Sequence, residues 1–269
     1  MAQTKTILMC PPTYFDIEYE INPWMHKDNQ VNEAEAAKQW RALYDTYTGR
    51  LGWTVQLIEP VQSLPDMVFT ANGGLVYGGK VILPHFRYPQ RQPETEVFKN
   101  WYQAAGYQQI YYPQNFFEGE GDALIFNNRY LLGGSPFRSA PAVHAEICQL
   151  LGLMPVTLEL VDSRFYHLDT CLTVVSPDTV AIYPKAFSAT SRQQLKQLVP
   201  RLIEASDADA EVYGLNAMAT GDGRAIVVPE PATGLIEQYR RLGLEVIPTA
   251  ISEFQKSGGG VKCLTLELR

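Results

Sequence analysis

The apolar positions along this chain follow the same order four times. Two short apolar runs are joined by a tight turn, a helical stretch comes next, and a single apolar run closes the unit. The first unit opens with the hairpin Leu75–Leu83, whose turn is Gly78-Gly79, and the units recur roughly every 50 residues. A proline follows each hairpin, and proline cannot donate a ladder hydrogen bond. The pattern therefore predicts successive ββαβ units.

The remaining elements of these units complete the pattern. The other hairpins are Ala123–Leu132, Leu172–Tyr183 and Met218–Val228. The predicted helices are Glu94–Ala105, Pro141–Leu151, Ser191–Ala205 and Ala232–Leu242. The predicted single strands are Gln109–Tyr112, Val156–Glu159, Ala210–Tyr213 and Glu245–Ile247. This alternation is typical of an α/β protein.

A fifth unit is divided between the two ends of the chain. Its pieces are the strands Leu264–Leu268 and Thr6–Cys10, the helix Asn32–Tyr47 and the strand Trp53–Ile58. Asn32 and Glu35 are spaced as a capping box. Pairing of the N- and C-terminal strands would close a ring and remove an open sheet edge. The sequence therefore predicts a five-bladed α/β propeller with pseudo-fivefold symmetry, in one domain over residues 1–269. Two unrelated α/β domains are the alternative.

Composition narrows the class of protein and partner. The 269 residues are 46% hydrophobic, which is enough for one large core. The net charge of -7 argues against nucleic acid as the main partner and suits a small cationic substrate. Four cysteines without a C-x-x-C pair indicate reduced thiols in the cytoplasm. We expect neither a signal peptide within residues 1–10 nor a membrane span, and a homo-oligomer is compatible with the sequence.

Polar side chains stand just before the first hairpin strand of every unit. They are Asp66 and Asn72, then Glu118 and Asp122, then His167 and Asp169, then Asn216, and finally Cys263. Each has an ordinary structural explanation, as a turn, loop or cap residue. In a closed ring, however, these equivalent positions would converge on the axis. The recurrence therefore predicts one cavity that contains a thiol, an imidazole, carboxylates and amides.

Cys263 follows three glycines, Gly258 to Gly260, and precedes a short strand-like run. Glycines allow positive φ or a close approach of the backbone to a ligand. A cysteine behind such a turn is a candidate nucleophile, although free cysteine is also among the most buried residue types. The sequence leaves both interpretations open at this point.

His167 and Asp169 are two residues apart, so strand alternation would place them on one face together with Cys171. A histidine beside an aspartate is a candidate acid/base group. The alternative is a metal site, but H-x-D-x-C is not a familiar zinc spacing, so we expect no metal.

Arg87 and Arg138 follow their hairpins at matched places, each directly after a phenylalanine. Their guanidinium forks could hold a carboxylate over the cavity, or both side chains could face solvent. A carboxylate-rich cavity rimmed by arginine suits an α-amino acid with a cationic end. The thiolate of Cys263 would then attack an electrophilic carbon.

Five segments resemble motifs of the guanidine-modifying superfamily. They are Pro65–Asn72, Phe117–Asp122, Phe137–Ser139, Phe165–Thr170 and Gly258–Cys263. That superfamily includes arginine deiminases, dimethylarginine dimethylaminohydrolases, glycine amidinotransferases and arginine dihydrolases. The resemblance runs over nearly the whole chain in the same order. It implies the propeller fold and hydrolysis of arginine or a substituted arginine without a cofactor.

The resemblance also implies residue roles. Cys263 would be the nucleophile, His167 the general acid/base, and Glu118 and Asp169 the guanidinium clamps. Arg87 and Arg138 would bind the substrate carboxylate, and Asp66 would be a substrate-binding or neighbouring group. The further expected substrate-binding residues are Asn22, Phe69, Asn72, Asp122 and Asn216.

Asn72 separates the members of this superfamily, because deiminases and dimethylarginine hydrolases have an acidic residue at its position. With the segment Ile21–Met25, it makes the chain look closest to cyanobacterial-type arginine dihydrolases, which convert arginine in two rounds to ornithine, carbon dioxide and two ammonia. An amide can hold a neutral ureido group that a carboxylate would repel. We therefore expect Asn22 and Asn72 to retain the ureido intermediate. The alternatives are a single-round hydrolase that gives citrulline, an amidinotransferase, and a non-catalytic arginine-binding protein.

Overall fold

The computed structural model describes residues 5–269, which form five sheets of three strands each. The strands are β1 (Thr6–Met9), β2 (Thr54–Leu57), β3 (Leu75–Tyr77), β4 (Lys80–Ile82), β5 (Gln109–Tyr111), β6 (Ala123–Phe126), β7 (Tyr130–Ser135), β8 (Met154–Glu159), β9 (Leu172–Ser176), β10 (Thr179–Ile182), β11 (Arg201–Glu204), β12 (Met218–Ala219), β13 (Ala225–Pro229), β14 (Glu245–Thr249) and β15 (Leu266–Glu267). The helices are α1 (Glu33–Asp45), α2 (Glu94–Ala104), α3 (Pro141–Leu151), α4 (Ala189–Leu198), α5 (Asp207–Glu211), α6 (Thr233–Arg241) and α7 (Ser252–Gln255). The fold class is therefore α/β, as predicted.

Every sheet has the same internal order. Two antiparallel strands form its first pair, and the middle strand pairs in parallel with the third. In one sheet the first pair joins β15 to β1, with Ile7 opposite Glu267 and Leu8 opposite Leu266. The first and last strands of the described chain therefore lie side by side. Expectations that concern residues 1–4, among them the start of the segment tested for a signal peptide, lie outside the described residues.

The helices pack their apolar faces onto these sheets. In α1 the buried positions Ala36, Trp40 and Leu43 are three or four residues apart, so they form one stripe. Asn32 caps this helix by accepting a 3.1 Å hydrogen bond from the amide of Glu35. The other half of the predicted capping box is absent among residues 5–269, because the Asn32 amide donates instead to Glu253 Oε2 at 2.7 Å. Across residues 5–269, every helix is too short or too polar to cross a lipid bilayer.

The region between 189 and 213 differs from the prediction. The predicted helix 191–205 ends at Leu198, and residues 201–204 form β11, which pairs in parallel with β10. Pro200 explains the early end, because a residue before proline is disfavoured in the helical region, and Val199 is extended. The predicted strand 210–213 is also wrong. Its first residues belong to α5, which Ser206 caps by accepting from the amide of Asp209.

The segment after His167 is not a strand either. Residues Leu168–Thr170 form a 3₁₀ turn, so the alternation that would place Cys171 beside His167 is lost. Cys171 is buried in the core, with its Sγ 3.5 Å from the carbonyl oxygen of Leu168. The turn nevertheless sends His167 and Asp169 toward the same site, which the sequence had predicted for a different geometric reason.

Candidate active site

A small cavity is built from the connections between the strands. Its lining residues are Ile21, Asn22, Met25, Asp66, Phe69, Asn72, Arg91, Arg138, Tyr166, His167, Ser257, Gly258 and Cys263. None of these thirteen lies in a strand. The sheets thus act as a rigid support for loops that carry the chemistry.

The thiol of Cys263 is held by two neighbours. Asn216 Nδ2 donates to Sγ at 3.1 Å, and Sγ lies 3.4 Å from Asp169 Oδ2. The amide of Cys263 donates to Asn216 Oδ1 at 3.0 Å. Burial, followed by the Asp169 carboxylate, raises the pKa of the Cys263 thiol well above its ordinary value. A cationic ligand is the kind of group that would reverse this shift.

His167 and Arg138 converge on one carboxylate oxygen. His167 Nε2 lies 2.8 Å from Glu118 Oε2, and Arg138 donates to the same oxygen at 2.9 Å. The second oxygen of Glu118 accepts from the amide of Arg87 at 3.2 Å. Burial opposes ionisation of Glu118, but Arg138 and then His167 outweigh it and hold its pKa well below its usual range. Glu118 is therefore an ionised partner for both side chains.

Two aromatic rings also contact Arg138. Its guanidinium carbon lies 4.6 Å from the ring centres of Tyr88 and Tyr166. Its remaining terminal nitrogen donates to the carbonyl oxygen of Ile21 at 2.8 Å. This contact ties the loop that carries Ile21 to the cavity.

A second buried guanidinium, that of Arg91, also lines the cavity. It donates to Asn72 Oδ1 at 2.8 Å and to both oxygens of Glu94 at 2.8 Å. It also lies 3.8 Å from Asp66 Oδ2. Asn72 Nδ2 in turn donates to the carbonyl oxygen of Glu118 at 3.0 Å. The orientation of the Asn72 amide is therefore determined at both ends.

Three buried polar atoms at the site have no hydrogen-bond partner among the described residues. They are Asp66 Oδ1, Asp169 Oδ1 and Ser257 Oγ. Burial is the main cause that raises the pKa of Asp66, and it raises the pKa of Asp169 to about 7. Unpaired buried acceptors are costly, and at a cavity they indicate a missing donor. Two carboxylates and a hydroxyl suit a cationic ligand that donates hydrogen bonds.

Two glycines let the loop before Cys263 pack closely. Gly258 has φ +82°, and a Cβ there would lie 2.7 Å from Tyr166 Oη. A Cβ on Gly259 would overlap the ring of Phe69, at 2.1 Å from its Cε1. Asn22 joins the same loop, because its Nδ2 donates to the carbonyl oxygen of Ser257 at 3.1 Å. The sequence predicted a close approach of the backbone in this loop, and the structure shows that the approached side chains are those of Tyr166 and Phe69.

Seven of the expected site residues line the cavity together. They are Asn22, Asp66, Phe69, Asn72, Arg138, His167 and Cys263. Glu118, Asp169 and Asn216 lie directly behind that lining and contact its members. Cys263 and His167 thus share one cavity, which the sequence analysis required.

Arg87 and Asp122 lie elsewhere. The Arg87 guanidinium donates to the carbonyl oxygens of Arg138 and Pro136, so it supports the Arg138 loop from behind. Asp122 accepts from the amides of Ser139 and Leu168 at 3.0 and 3.1 Å. Each of these amides directly follows a site residue. Burial raises the pKa of Asp122 to about 6.

Sequence reasoning missed part of the lining. Arg91 and Ser257 were not considered at all, and the residues that appeared only within motif segments, without being named as substrate-binding residues, were Ile21, Met25, Tyr166 and Gly258. Arg91 carried one usable signal, since Glu94 three residues later can pair with it. The expected pair of Phe-Arg dipeptides drew attention to Arg87 instead.

The chain is similar to several known proteins over almost its whole length. A family model described as N,N dimethylarginine dimethylhydrolase, eukaryotic, matches residues 11–269. The N(G),N(G)-dimethylarginine dimethylaminohydrolase of Mycobacterium tuberculosis is 44% identical over 99% of this chain and 86% of its own. The bifunctional arginine dihydrolase/ornithine cyclodeaminase ArgZ of a Synechocystis species is 39% identical over 100% of this chain. This chain spans 38% of the length of ArgZ.

Among solved structures, a variant of the N-terminal domain of ArgZ is covalently bound to a reaction intermediate. It superposes with a TM-score of 0.93 at 38% identity and covers 98% of both chains. The two chains therefore share their fold over almost their whole described length.

Proposed function

The chain belongs to the dimethylarginine dimethylaminohydrolase family, and we propose that it hydrolyses the guanidinium group of L-arginine. The proposed reaction has two rounds, in which arginine and two water molecules give ornithine, carbon dioxide and two ammonia. The observation that carries this proposal is the cavity itself, where Cys263 and His167 lie beside unpaired carboxylate oxygens and two buried arginines.

The charges suit the two ends of arginine. Asp66 Oδ1 and Asp169 Oδ1 are acceptors without partners, so they can bind the N–H groups of a guanidinium or an ammonium. Arg138 and Arg91 are the cations that line the cavity and could bind the α-carboxylate. This assignment replaces Arg87 with Arg91 as the second carboxylate-binding candidate, because Arg91 lines the cavity and Arg87 does not.

In the proposed first round, the Cys263 thiolate forms a bond to the guanidinium carbon. His167 gives a proton to the departing amine, and ammonia leaves as a covalent thiouronium forms. A water molecule, deprotonated by His167, then attacks the same carbon. The carbon–sulfur bond breaks, which regenerates the thiolate and leaves citrulline in the cavity. Glu118 holds the imidazole ring in place for both transfers.

In the proposed second round, citrulline stays in the cavity and Cys263 attacks its ureido carbon. Loss of ornithine as the leaving amine and hydrolysis of the remaining thiocarbamate give carbon dioxide and the second ammonia. An amide at position 72 can donate to the ureido carbonyl, which a carboxylate could not. The relation to ArgZ, whose name includes arginine dihydrolase, supports this reading.

The proposal extends to the architecture. We infer that the five sheets are the blades of one propeller with pseudo-fivefold symmetry, in a single domain over residues 1–269, and that β15 and β1 close the ring. The uniform strand order of the sheets and the β15–β1 pair support this arrangement. A cytoplasmic location is proposed on the four free cysteines.

Product analysis tests the function. Purified protein with L-arginine should form ornithine and two equivalents of ammonia per arginine consumed. Cys263→Ser should lose turnover but keep the rise in melting temperature that arginine produces. Citrulline as the final product would overturn the second round, and turnover that requires added glycine would indicate an amidinotransferase. Turnover that survives in Cys263→Ser would contradict the nucleophile.

A second candidate is hydrolysis of asymmetric dimethylarginine to citrulline and dimethylamine. The 44% identity to the Mycobacterium tuberculosis enzyme favours it. A direct comparison of kcat/KM for arginine and for asymmetric dimethylarginine separates the two. We expect arginine to be the better substrate.

A further inference from the structure

Asn216 differs from the other amides at the site because it faces the nucleophile and does not line the cavity. Its Nδ2 donates to Cys263 Sγ at 3.1 Å and to the carbonyl oxygen of Asp169 at 3.0 Å. Its Oδ1 accepts from the Cys263 amide at 3.0 Å. Asn216 is fully buried. One carboxamide therefore contacts the sulfur and the backbone of the same cysteine.

These contacts permit only one orientation of the amide. If Nδ2 and Oδ1 exchanged places, Nδ2 would face the N–H of Cys263, and two donors would oppose each other. Oδ1 would at the same time face the carbonyl oxygen of Asp169, and two acceptors would oppose each other. The N–H of Asn216 that points at Sγ is therefore held there by groups that take no part in the chemistry.

The environment of the sulfur makes such a donor important. Sγ lies 3.4 Å from Asp169 Oδ2, and a thiolate so close to a carboxylate is disfavoured. Burial acts in the same direction, while Asn216 and the backbone amide of Gly260 act in the opposite one. A hydrogen bond to a charged acceptor is stronger than one between neutral groups, so the Asn216 contact favours the thiolate over the thiol.

We propose that Asn216 is a catalytic residue that stabilises the Cys263 thiolate by hydrogen bonding and fixes the direction of its attack. This inference rests on the proposed function, in which Cys263 is the nucleophile. It also reassigns Asn216, which the sequence suggested as a substrate-binding residue. Its predicted effect concerns the free enzyme, before arginine binds.

The test measures how fast iodoacetamide alkylates Cys263 as pH rises, with no arginine present. Mass spectrometry of the peptide that contains Cys263 separates it from the other three cysteines. In Asn216→Ala we expect the midpoint of the plot of alkylation rate against pH to move up by about one to two pH units, with roughly tenfold slower alkylation near neutral pH. Asn216→Asp should shift this midpoint at least as far. The aspartate side chain keeps the shape and the acceptor for the Cys263 amide but adds a negative charge.

Thr265→Val is the matched control. Thr265 is buried two residues after Cys263 and bonds to the carbonyl oxygen of Val261 and to Tyr47, but it does not touch Sγ. In Thr265→Val the midpoint of Cys263 alkylation should stay at the parent value. An unchanged midpoint in folded Asn216→Asp, or an equal shift in Thr265→Val, would overturn the proposal. The alkylation assay needs no arginine. Failure of the protein to turn over arginine would therefore contradict the proposed function but would leave the test of Asn216 unaffected.

Discussion

The Arg91 guanidinium donates a 2.8 Å hydrogen bond to Oδ1 of Asn72, and this contact decides which way the Asn72 amide faces. With Oδ1 bound to Arg91, the amino group of Asn72 points to the carbonyl oxygen of Glu118 and to the side of the cavity where His167 lies. A carboxylate at position 72 would present acceptors in both directions. The identity of this one side chain therefore bears directly on the product formed.

Asn72→Asp should make citrulline accumulate in place of ornithine. The carboxylate would repel the ureido carbonyl of the citrulline intermediate, so citrulline would leave before the second attack. Chromatography of the products from a fixed amount of arginine gives the ratio of citrulline to ornithine. Asn128→Asp, in an exposed turn that tolerates either residue, is the control and should leave the ratio unchanged. Ornithine as the main product of Asn72→Asp would contradict the proposed role.

Glu118→Gln should abolish most activity and also weaken the fold. The neutral amide would remove the negative charge beside the buried Arg138 and would leave one acceptor oxygen where Glu118 now offers two to Arg138, His167 and the Arg87 amide. Loss of one member of a buried pair typically costs about 3–5 kcal/mol of unfolding free energy. Urea titration measures this change. We expect kcat to fall at least about 100-fold in variant protein that remains folded, and a near-normal kcat would rule out Glu118 as the partner of His167.

The two arginines proposed from the sequence should behave differently. Arg138→Lys should raise KM for arginine about tenfold or more, because lysine cannot keep the fork geometry beside Tyr88 and Tyr166. Arg87→Lys should change KM by less than about threefold, since its guanidinium contacts only backbone carbonyls and the Phe116 ring among the described residues. Initial rates over a range of arginine concentrations check both. Equal effects would mean that Arg87 reaches the substrate.

His144 gives a prediction for pH. It is buried on α3, with Nδ1 bonded to Thr157 Oγ1 and Nε2 without a partner among the described residues. Burial lowers its pKa from 6.5 to about 4, so the folded protein keeps it neutral while the unfolded chain takes up a proton. The stability that neutral His144 contributes is therefore fully present above about pH 6.5. As pH falls toward 4 this stability is lost, and the free energy of unfolding decreases by up to about 3 kcal/mol.

Urea unfolding at pH 7.5 and pH 5 checks this. The difference in unfolding free energy between the two pH values should be smaller in His144→Gln than in the parent. His26→Gln, on an exposed histidine, should keep the parent's difference. If both variants keep it, acid sensitivity comes from groups other than His144.

Much of the fold could be predicted because each unit carries its own local signals. The Gly78-Gly79 turn, the apolar runs and the prolines all act over a few residues, and four units repeat them. The errors fell where one signal competed with another. Between 191 and 213, the apolar run ending at Val199 continued a helical pattern, and only Pro200 marked its end.

The site could be predicted less completely, for a geometric reason. Residues such as Cys263, His167 and Asn72 stand at equivalent positions, so their meeting followed from the repeat. Arg91 belongs to no equivalent position and reaches the cavity through its ion pair with Glu94. The repeat also predicted that Asn216 and Cys263 share the cavity, but the hydrogen bond between their side chains, 47 residues apart in the chain, has no trace in local sequence.

The pairing of β15 with β1 makes the two ends of the described chain neighbours in space. Joining them and reopening the backbone in the exposed turn at Gly78 and Gly79 would give a circular permutant with the same strand neighbours, since a Cβ added to either glycine would have no described atom within 4 Å. Whether a connection can be cut then depends on whether it carries residues of the active-site cavity. A break in the loop that holds Asn22 or in the loop that holds Asn72 would disrupt the active-site cavity. A break in a hairpin turn away from that cavity would leave it intact.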